Sequence, residues 1–141
     1  MLAVLDTNIF LSALISPYGV PAAIYEEWLQ GRFIVATCHE QIEELRRASR
    51  YPKMKDKLKP HLVGKMLNTL QKAEIVETIE RRHNAIDPHD SYLLDLADAA
   101  SAHYLVTGDK KSGLLQTKRV GTARIVKASY FTRTVLGLTL D

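Results

Sequence analysis

The sequence predicts an α/β sandwich built on a mainly parallel sheet, and three observations carry that expectation. Short apolar runs such as Leu2 to Leu5 fit strands buried on both faces better than half-exposed ones. Stretches of helical composition separate those runs, most clearly from Asp90 to Ala102. Gly and Pro punctuate the boundaries, and strands alternating with helices in this rhythm mark the class.

Taken in order, Leu2 to Leu5 is the first strand, closed by Asp6, and Ile9 to Leu14 is helical. Pro17, Gly19 and Pro21 break the chain. A second helix is expected from Pro21, a residue suited to a first helical position, to Gln30, with Gly31 as its stop. Phe33 to Ala36 is the next strand. Thr37 followed three residues later by Glu40 has the pattern of a capping box, which predicts a third helix running to about Arg50, before Pro52. Lys57 to Lys72 is helical in composition, Ile75 to Val76 is a short strand, and Thr78 to His89 is a polar loop closed by Asp87-Pro88. The helix from Asp90 to Ala102 leads into a strand at Tyr104 to Thr107, a turn at Gly108, and Asp109. Arg124 to Val126 is the last strand, and Ser129 caps a final helix from about Tyr130 to Leu136. No repeat, low-complexity tract or linker divides the chain, so residues 1–141 read as one domain.

Composition is that of an ordinary folded domain, 46% hydrophobic and 25% charged, which excludes disordered and collagen-like classes. Lys and Arg total 19 against 16 Asp and Glu, and the pI is near 9.0, a balance that favours anionic polymers as partners. The basic residues are grouped. Arg46, Arg47, Arg50, Lys53, Lys55, Lys57 and Lys59 form one run, and Lys110, Lys111, Lys118, Arg119, Arg124 and Lys127 a second. Either run also suits a solvated surface. The single Cys38 has no disulfide partner within the chain, Met1 to Leu5 runs into an acid without a basic leader, and no stretch approaches the ~20 apolar residues of a membrane span. A cytoplasmic protein without a membrane association is the expectation.

Against this basic background, four acids fall where the predicted topology brings them to one edge of the sheet. In a parallel α/β sheet, ligands collect beyond the carboxyl ends of the strands where strand order reverses. Asp6 directly follows the first strand and Asp109 the strand at Tyr104 to Thr107. Asp6 could alternatively cap a helix, as could Thr7 or Asn8. Helical spacing places Asp90 on the stripe of Leu93, Leu94, Ala97 and Ser101, and leaves Asp95 and Asp98 off its centre, expected in solvent; capping is the alternative for Asp90. In the third helix the apolar face of Cys38, Ile42, Leu45 and Ala48 has Glu44 at its flank and Glu43 nearly opposite, with a surface ion pair to Arg47 or Arg50 as the competing role for Glu44. Gly108 allows a sharp turn before Asp109, and the Thr107 hydroxyl is placed to orient that acid.

Carboxylates converging on one point raise one another's pKa unless a cation joins them. Mg²⁺ and Mn²⁺ prefer such hard oxygen ligands, and Mg²⁺ keeps waters that leave room for phosphate and nucleophile.

The run Val4-Leu5-Asp6-Thr7-Asn8-Ile9-Phe10 resembles the first motif of the PIN-domain ribonucleases, of the kind found as the toxin of many prokaryotic toxin-antitoxin pairs. His39 to Arg47, with Glu44-Leu45, is similar to the second motif, Asp87-Pro88-His89-Asp90 with its apolar helix to the third, and Leu105-Val106-Thr107-Gly108-Asp109 to the fourth. The resemblance implies a three-layer α/β/α sandwich on a parallel sheet of about five strands. It also implies a Mg²⁺- or Mn²⁺-dependent endoribonuclease, a homodimer, and inhibition by a small antitoxin. By position Asp6, Glu44, Asp90 and Asp109 would be the catalytic metal carboxylates, with Asn8 and Thr107 as polar support. Ser91 stands where close relatives often carry another acid, which implies weak binding of a second metal. The choice between Glu43 and Glu44 stays open. Arg46, Arg47, Arg50 and Lys110 are the expected RNA contacts.

Other classes fit less well. A haloacid-dehalogenase-type enzyme would need an acid where Asn8 stands, a receiver domain an acid after the central strand where Thr37 and Cys38 stand, and an NTPase a phosphate-binding Gly-Lys-Ser/Thr loop that does not occur. The competing function is a non-catalytic RNA-binding or assembly module on an inactive PIN fold.

Overall fold

A computed structural model of the chain describes residues 1–108 and 113–139. Strand β1 (Leu2–Leu5) is followed by helices α1 (Thr7–Ile15) and α2 (Val20–Leu29), then β2 (Ile34–Thr37) and α3 (His39–Ala48). Two further helices, α4 (Pro52–Lys55) and α5 (Pro60–Gln71), lead to the short β3 (Glu74–Ile75). A coil then reaches a 3₁₀ turn at Pro88–Asp90, α6 (Ser91–Ala99) and β4 (Tyr104–Thr107). The chain ends in α7 (Gly113–Thr117), β5 (Arg119–Val120), β6 (Ala123–Lys127) and α8 (Ala128–Tyr130), which runs on into a π turn at Phe131–Val135.

Among the described residues the sheet has six strands in the order β3-β2-β1-β4-β6-β5, parallel throughout except for β5 against β6. The sixth strand forms a hairpin that the sequence conceals: Val120 opposes Ala123 across the two residues Gly121 and Thr122. Gly121 has φ +56, and a Cβ there would meet Asp98 Oδ1 at 2.4 Å, so both the backbone and the space demand glycine.

The alternation of β1 explains the layers. Ala3 and Leu5 join the core beneath α1, α2, α3 and α5, with Phe10, Trp28, Leu45 and Phe131, while Val4 faces the second core against Leu93, Leu94 and Ala97 of α6. Helices therefore cover both faces, giving the α/β/α sandwich. Trp28 and Phe131 are core, and Tyr18 stands almost fully in solvent. No single described helix is long and apolar enough to cross a membrane.

Several local expectations change. Thr37 stays in β2, so Cys38 takes the N-cap position of α3 without a side-chain bond; there is no capping box, and Glu40 pairs with Arg81 instead. The α6 stripe stops before Ser101, whose φ of +51 turns the chain toward β4. Ser129 lies inside α8, with Lys127 at the N-cap.

Candidate active site

The order of strands reverses between β1 and β4, and the carboxyl ends of these neighbours hold the site. The Asp6 N–H donates to the Val106 carbonyl at 2.8 Å, which ties the end of β1 to β4. Asp6 Oδ2 accepts from the buried Thr107 hydroxyl at 3.2 Å, and Oδ1 accepts from the Asn8 N–H at 3.3 Å at the head of α1. Asp6 thus caps α1 and still faces the strand ends. Polar support from Asn8 comes through its backbone, and Thr107 serves Asp6. Burial raises the Asp6 carboxyl above its ordinary value, opposed by these donors and reinforced by the charge of Glu44.

Glu44 is brought in by a side chain that motif reading passed over. Gln41 is fully buried; its Nε2 donates to the Leu5 carbonyl at 2.6 Å and its Oε1 accepts from the Thr37 hydroxyl at 2.6 Å. That bridge fastens α3 to the ends of β1 and β2, and Glu44, three residues on, lies on the same side of the helix. Glu44 Oε1 accepts from the Tyr92 hydroxyl at 2.9 Å, and the buried Thr7 hydroxyl lies 3.0 Å from the Tyr92 hydroxyl oxygen. With Tyr92 donating to the carboxylate, Thr7 donates to Tyr92. Glu43 points away, exposed and paired with Arg46, so geometry separates the two acids. Glu44 forms no ion pair with Arg47 or Arg50 among the described residues.

Asp90 occupies the N-cap position of α6 but makes no capping hydrogen bond. Its carboxyl has no hydrogen-bond partner among the described residues, and it is pushed up to about 6, first by burial and then by the charges of Asp6, Asp87 and Glu44. Asp87 instead caps the 3₁₀ turn, accepting from the His89 N–H at 3.0 Å. Ser91 Oγ accepts from the Ala85 N–H at 3.0 Å, so its hydroxyl holds the preceding loop. Asp109 and the cationic Lys110 and Lys111 lie outside the described residues.

The charge of Glu44 thus acts on both Asp6 and Asp90, and that of Asp6 on Asp90. Each retains unbonded carboxylate capacity, and none has a cationic partner within 4 Å among the described residues. Hard oxygens in mutual repulsion suit Mg²⁺ or Mn²⁺ in kind. Among the described residues alone, however, no three His, Cys, Asp or Glu side chains close into a metal cage.

The PIN domain family matches residues 3–111, which include Asp6, Glu44, Asp90 and Asp109. The chain belongs to the PIN-domain family. PIN domains are typically nucleases, and they generally use divalent metals. This PIN domain is also similar to an uncharacterized protein of Methanocaldococcus jannaschii, 27% identical over 109 residues that cover 76% of this chain and 70% of that protein. No solved structure gives a significant match.

Two expectations about α6 are corrected. Asp95 was expected in solvent, yet it is 3% exposed: its Oδ1 accepts from the N–H groups of Arg82 at 3.0 Å and His83 at 2.8 Å. Asp98 is half-buried, 2.8 Å from His83 Nε2. Both face the coil of residues 77–86, a strap whose own side chains the hydrophobic pattern of α6 does not reveal.

Proposed function

We propose that this PIN domain is a Mg²⁺- or Mn²⁺-dependent endoribonuclease, with Asp6, Glu44, Asp90 and Asp109 as its metal-holding catalytic carboxylates. The observation that carries this is the approach of Asp6, Glu44 and Asp90 at the switch point of the sheet, where burial and neighbouring carboxylate charge disfavour the ionised forms of Asp6 and Asp90. A divalent ion held there supplies charge neutralisation and a water of lowered pKa. The chain's own part is positioning. Thr107 and the Asn8 N–H fix Asp6, Tyr92 fixes one oxygen of Glu44, and Gln41 seats the helix that carries it.

RNA is the proposed substrate, with Arg46, Arg47, Arg50 and Lys110 as phosphate contacts. Phosphate contacts carry no base information, so sequence preference has another source. A cytoplasmic toxin working as a homodimer and inhibited by a small antitoxin is the biological role we propose, supported by membership of the family and by the four motifs.

The test is cleavage of labelled RNA by purified protein with Mg²⁺, with Mn²⁺ and with EDTA. Cutting should require the metal, and Asp6→Asn should reduce it at least a hundredfold while RNA binding persists, a loss typical of removing a transition-state stabiliser. Equal cutting by wild type and variant would assign the activity to a contaminant; binding by both with no cutting by either would leave a non-catalytic RNA-binding module.

A further inference from the structure

Beside Glu44 and Tyr92 opens a cleft of about 480 Å³ whose far wall is the strap of residues 77–86. Arg47 of α3 lines it on one side, and Arg81 and Arg82 of the strap line the other. The strap is built into the fold. The buried Asp95 holds two successive backbone N–H groups, those of Arg82 and His83, and His83 in turn meets Asp98. Ser91 holds Ala85, while Arg81 and Glu77 of the strap pair with Glu40 and His39 of α3. Asp95 is buried on α6, and its carboxylate fixes the backbone from which two guanidiniums project.

Resting on the nuclease reading above, we propose that this cleft is the path of a single RNA strand. In it Arg81 and Arg82 of the strap, together with Arg47, hold phosphates that flank the one at the carboxylates.

The lining carries both signs, with Glu40, Glu44 and Asp95 against Arg47, Arg81 and Arg82. Arg81 and Arg82 are each 64% exposed and paired with Glu40 and Glu80, contacts that exposed side chains hold weakly. A guanidinium fork matches phosphate oxygens in two-point geometry, so a polyanion can take these arginines from their surface partners. Arg47 has no ion pair among the described residues. The main-chain anchoring at Asp95 leaves both strap side chains free to make that exchange without moving the backbone.

Binding is measured by fluorescence anisotropy of a labelled, unstructured oligouridylate against the Asp6→Asn protein, without divalent metal, from 50 to 200 mM KCl. Adding Arg81→Ala with Arg82→Ala should weaken binding roughly tenfold and flatten the log–log salt slope by about 1.4, the share of two phosphate contacts to a single strand. Lys65→Ala with Lys72→Ala removes the same charge from α5 and its end, away from the cleft, and should change the slope little. Equal effects from both pairs would reduce the arginines to contributors of net charge and overturn the proposal. An unchanged slope in the arginine variant, its melting temperature intact, would overturn it too while leaving the nuclease reading standing. If the Asp6→Asn parent binds no RNA at any salt, the nuclease reading itself falls, and this path with it.

Discussion

The Tyr92 hydroxyl donates to Glu44 Oε1 at 2.9 Å, from a ring that is 4% exposed. It joins α6 to α3 and commits one oxygen of Glu44, leaving the other without a partner among the described residues. Burial and then the nearby Glu44 charge push the Tyr92 phenol well above its ordinary value, so it stays a donor at any working pH. Tyr92→Phe keeps the ring and removes the bond, leaving the buried Thr7 hydroxyl without its acceptor. The variant should lose about 1–2 kcal/mol of stability, seen in urea unfolding. RNA cleavage should fall about tenfold with KM unchanged, because the lost bond orients a carboxylate and touches no substrate. A fall in cleavage through KM alone would refute that role.

Asp90 gives a pH prediction with a definite sign. Its folded-state carboxyl is raised from 3.8 to about 6. Between those values the folded chain keeps a proton that the unfolded chain has released, so this contribution to stability is complete at the acid end and lost as pH rises through about 6. Asp6 shifts in the same direction. The melting temperature of metal-free protein, relative to Asp90→Asn, should therefore decline between pH 5 and pH 7. Mg²⁺ should raise it more at pH 7 than at pH 5, since protons and metal compete for the same oxygens. A wild-type melting temperature that rises relative to that of Asp90→Asn between pH 5 and pH 7 would contradict the assignment.

The sequence shows some of this site and hides the rest for physical reasons. Asp6 and the strand it ends are legible because a buried four-residue strand is wholly apolar, and the acid is where that pattern stops. Asp95 misleads: its neighbours Leu93, Leu94 and Leu96 are buried on more than one side of α6, so a stripe drawn at helical period underestimates how much of the helix is covered. What covers it is a coil with no periodicity, and the partner groups are backbone N–H groups, which leave no trace in residue types. Gln41 and Tyr92 escape for the same reason as Thr37 in its capping-box pattern. Polar side chains that bond across elements have a spacing set by the tertiary structure, and in the site Thr37 and Gln41 lie four apart in the chain whereas Tyr92 and Glu44 lie 48 apart.

Gln41 allows a test of that tertiary spacing. Its amide satisfies a carbonyl at the end of β1 and a hydroxyl at the end of β2, both through bonds of 2.6 Å. Gln41→Leu fills similar space and leaves both groups buried without a partner. The expected loss is about 2–3 kcal/mol in urea unfolding, more than for Tyr92→Phe, because two uncharged groups lose their bonds at a fully buried site. Glu43→Gln, on the exposed face of the same helix, should stay within about 0.5 kcal/mol of wild type. Similar stabilities for the two variants would mean that water reaches the strand ends and that Gln41 does not seat the helix.

The anchoring of the strap makes a different kind of prediction, one that distinguishes charge from acceptor geometry. A single oxygen of Asp95, Oδ1, accepts both the Arg82 and the His83 N–H groups. Asp95→Asn retains a carbonyl oxygen that can accept both, and should leave the strap in place. Asp95→Ala removes the acceptor, opening a cavity beside Leu94 and stranding two backbone donors. Amide exchange at Arg82 and His83 should then accelerate by about tenfold to a hundredfold, the equivalent of some 1.4–2.8 kcal/mol of local protection. Exchange in β1 and β4 should keep its wild-type rate, because these strands pair with each other, β2 and β6 and not with the strap, whose release need not unfold them. If Asp95→Asn loosens the strap as much as Asp95→Ala does, the negative charge itself holds the segment. If neither does, the cross-links through His83, Ser91 and Arg81 suffice without the buried acid.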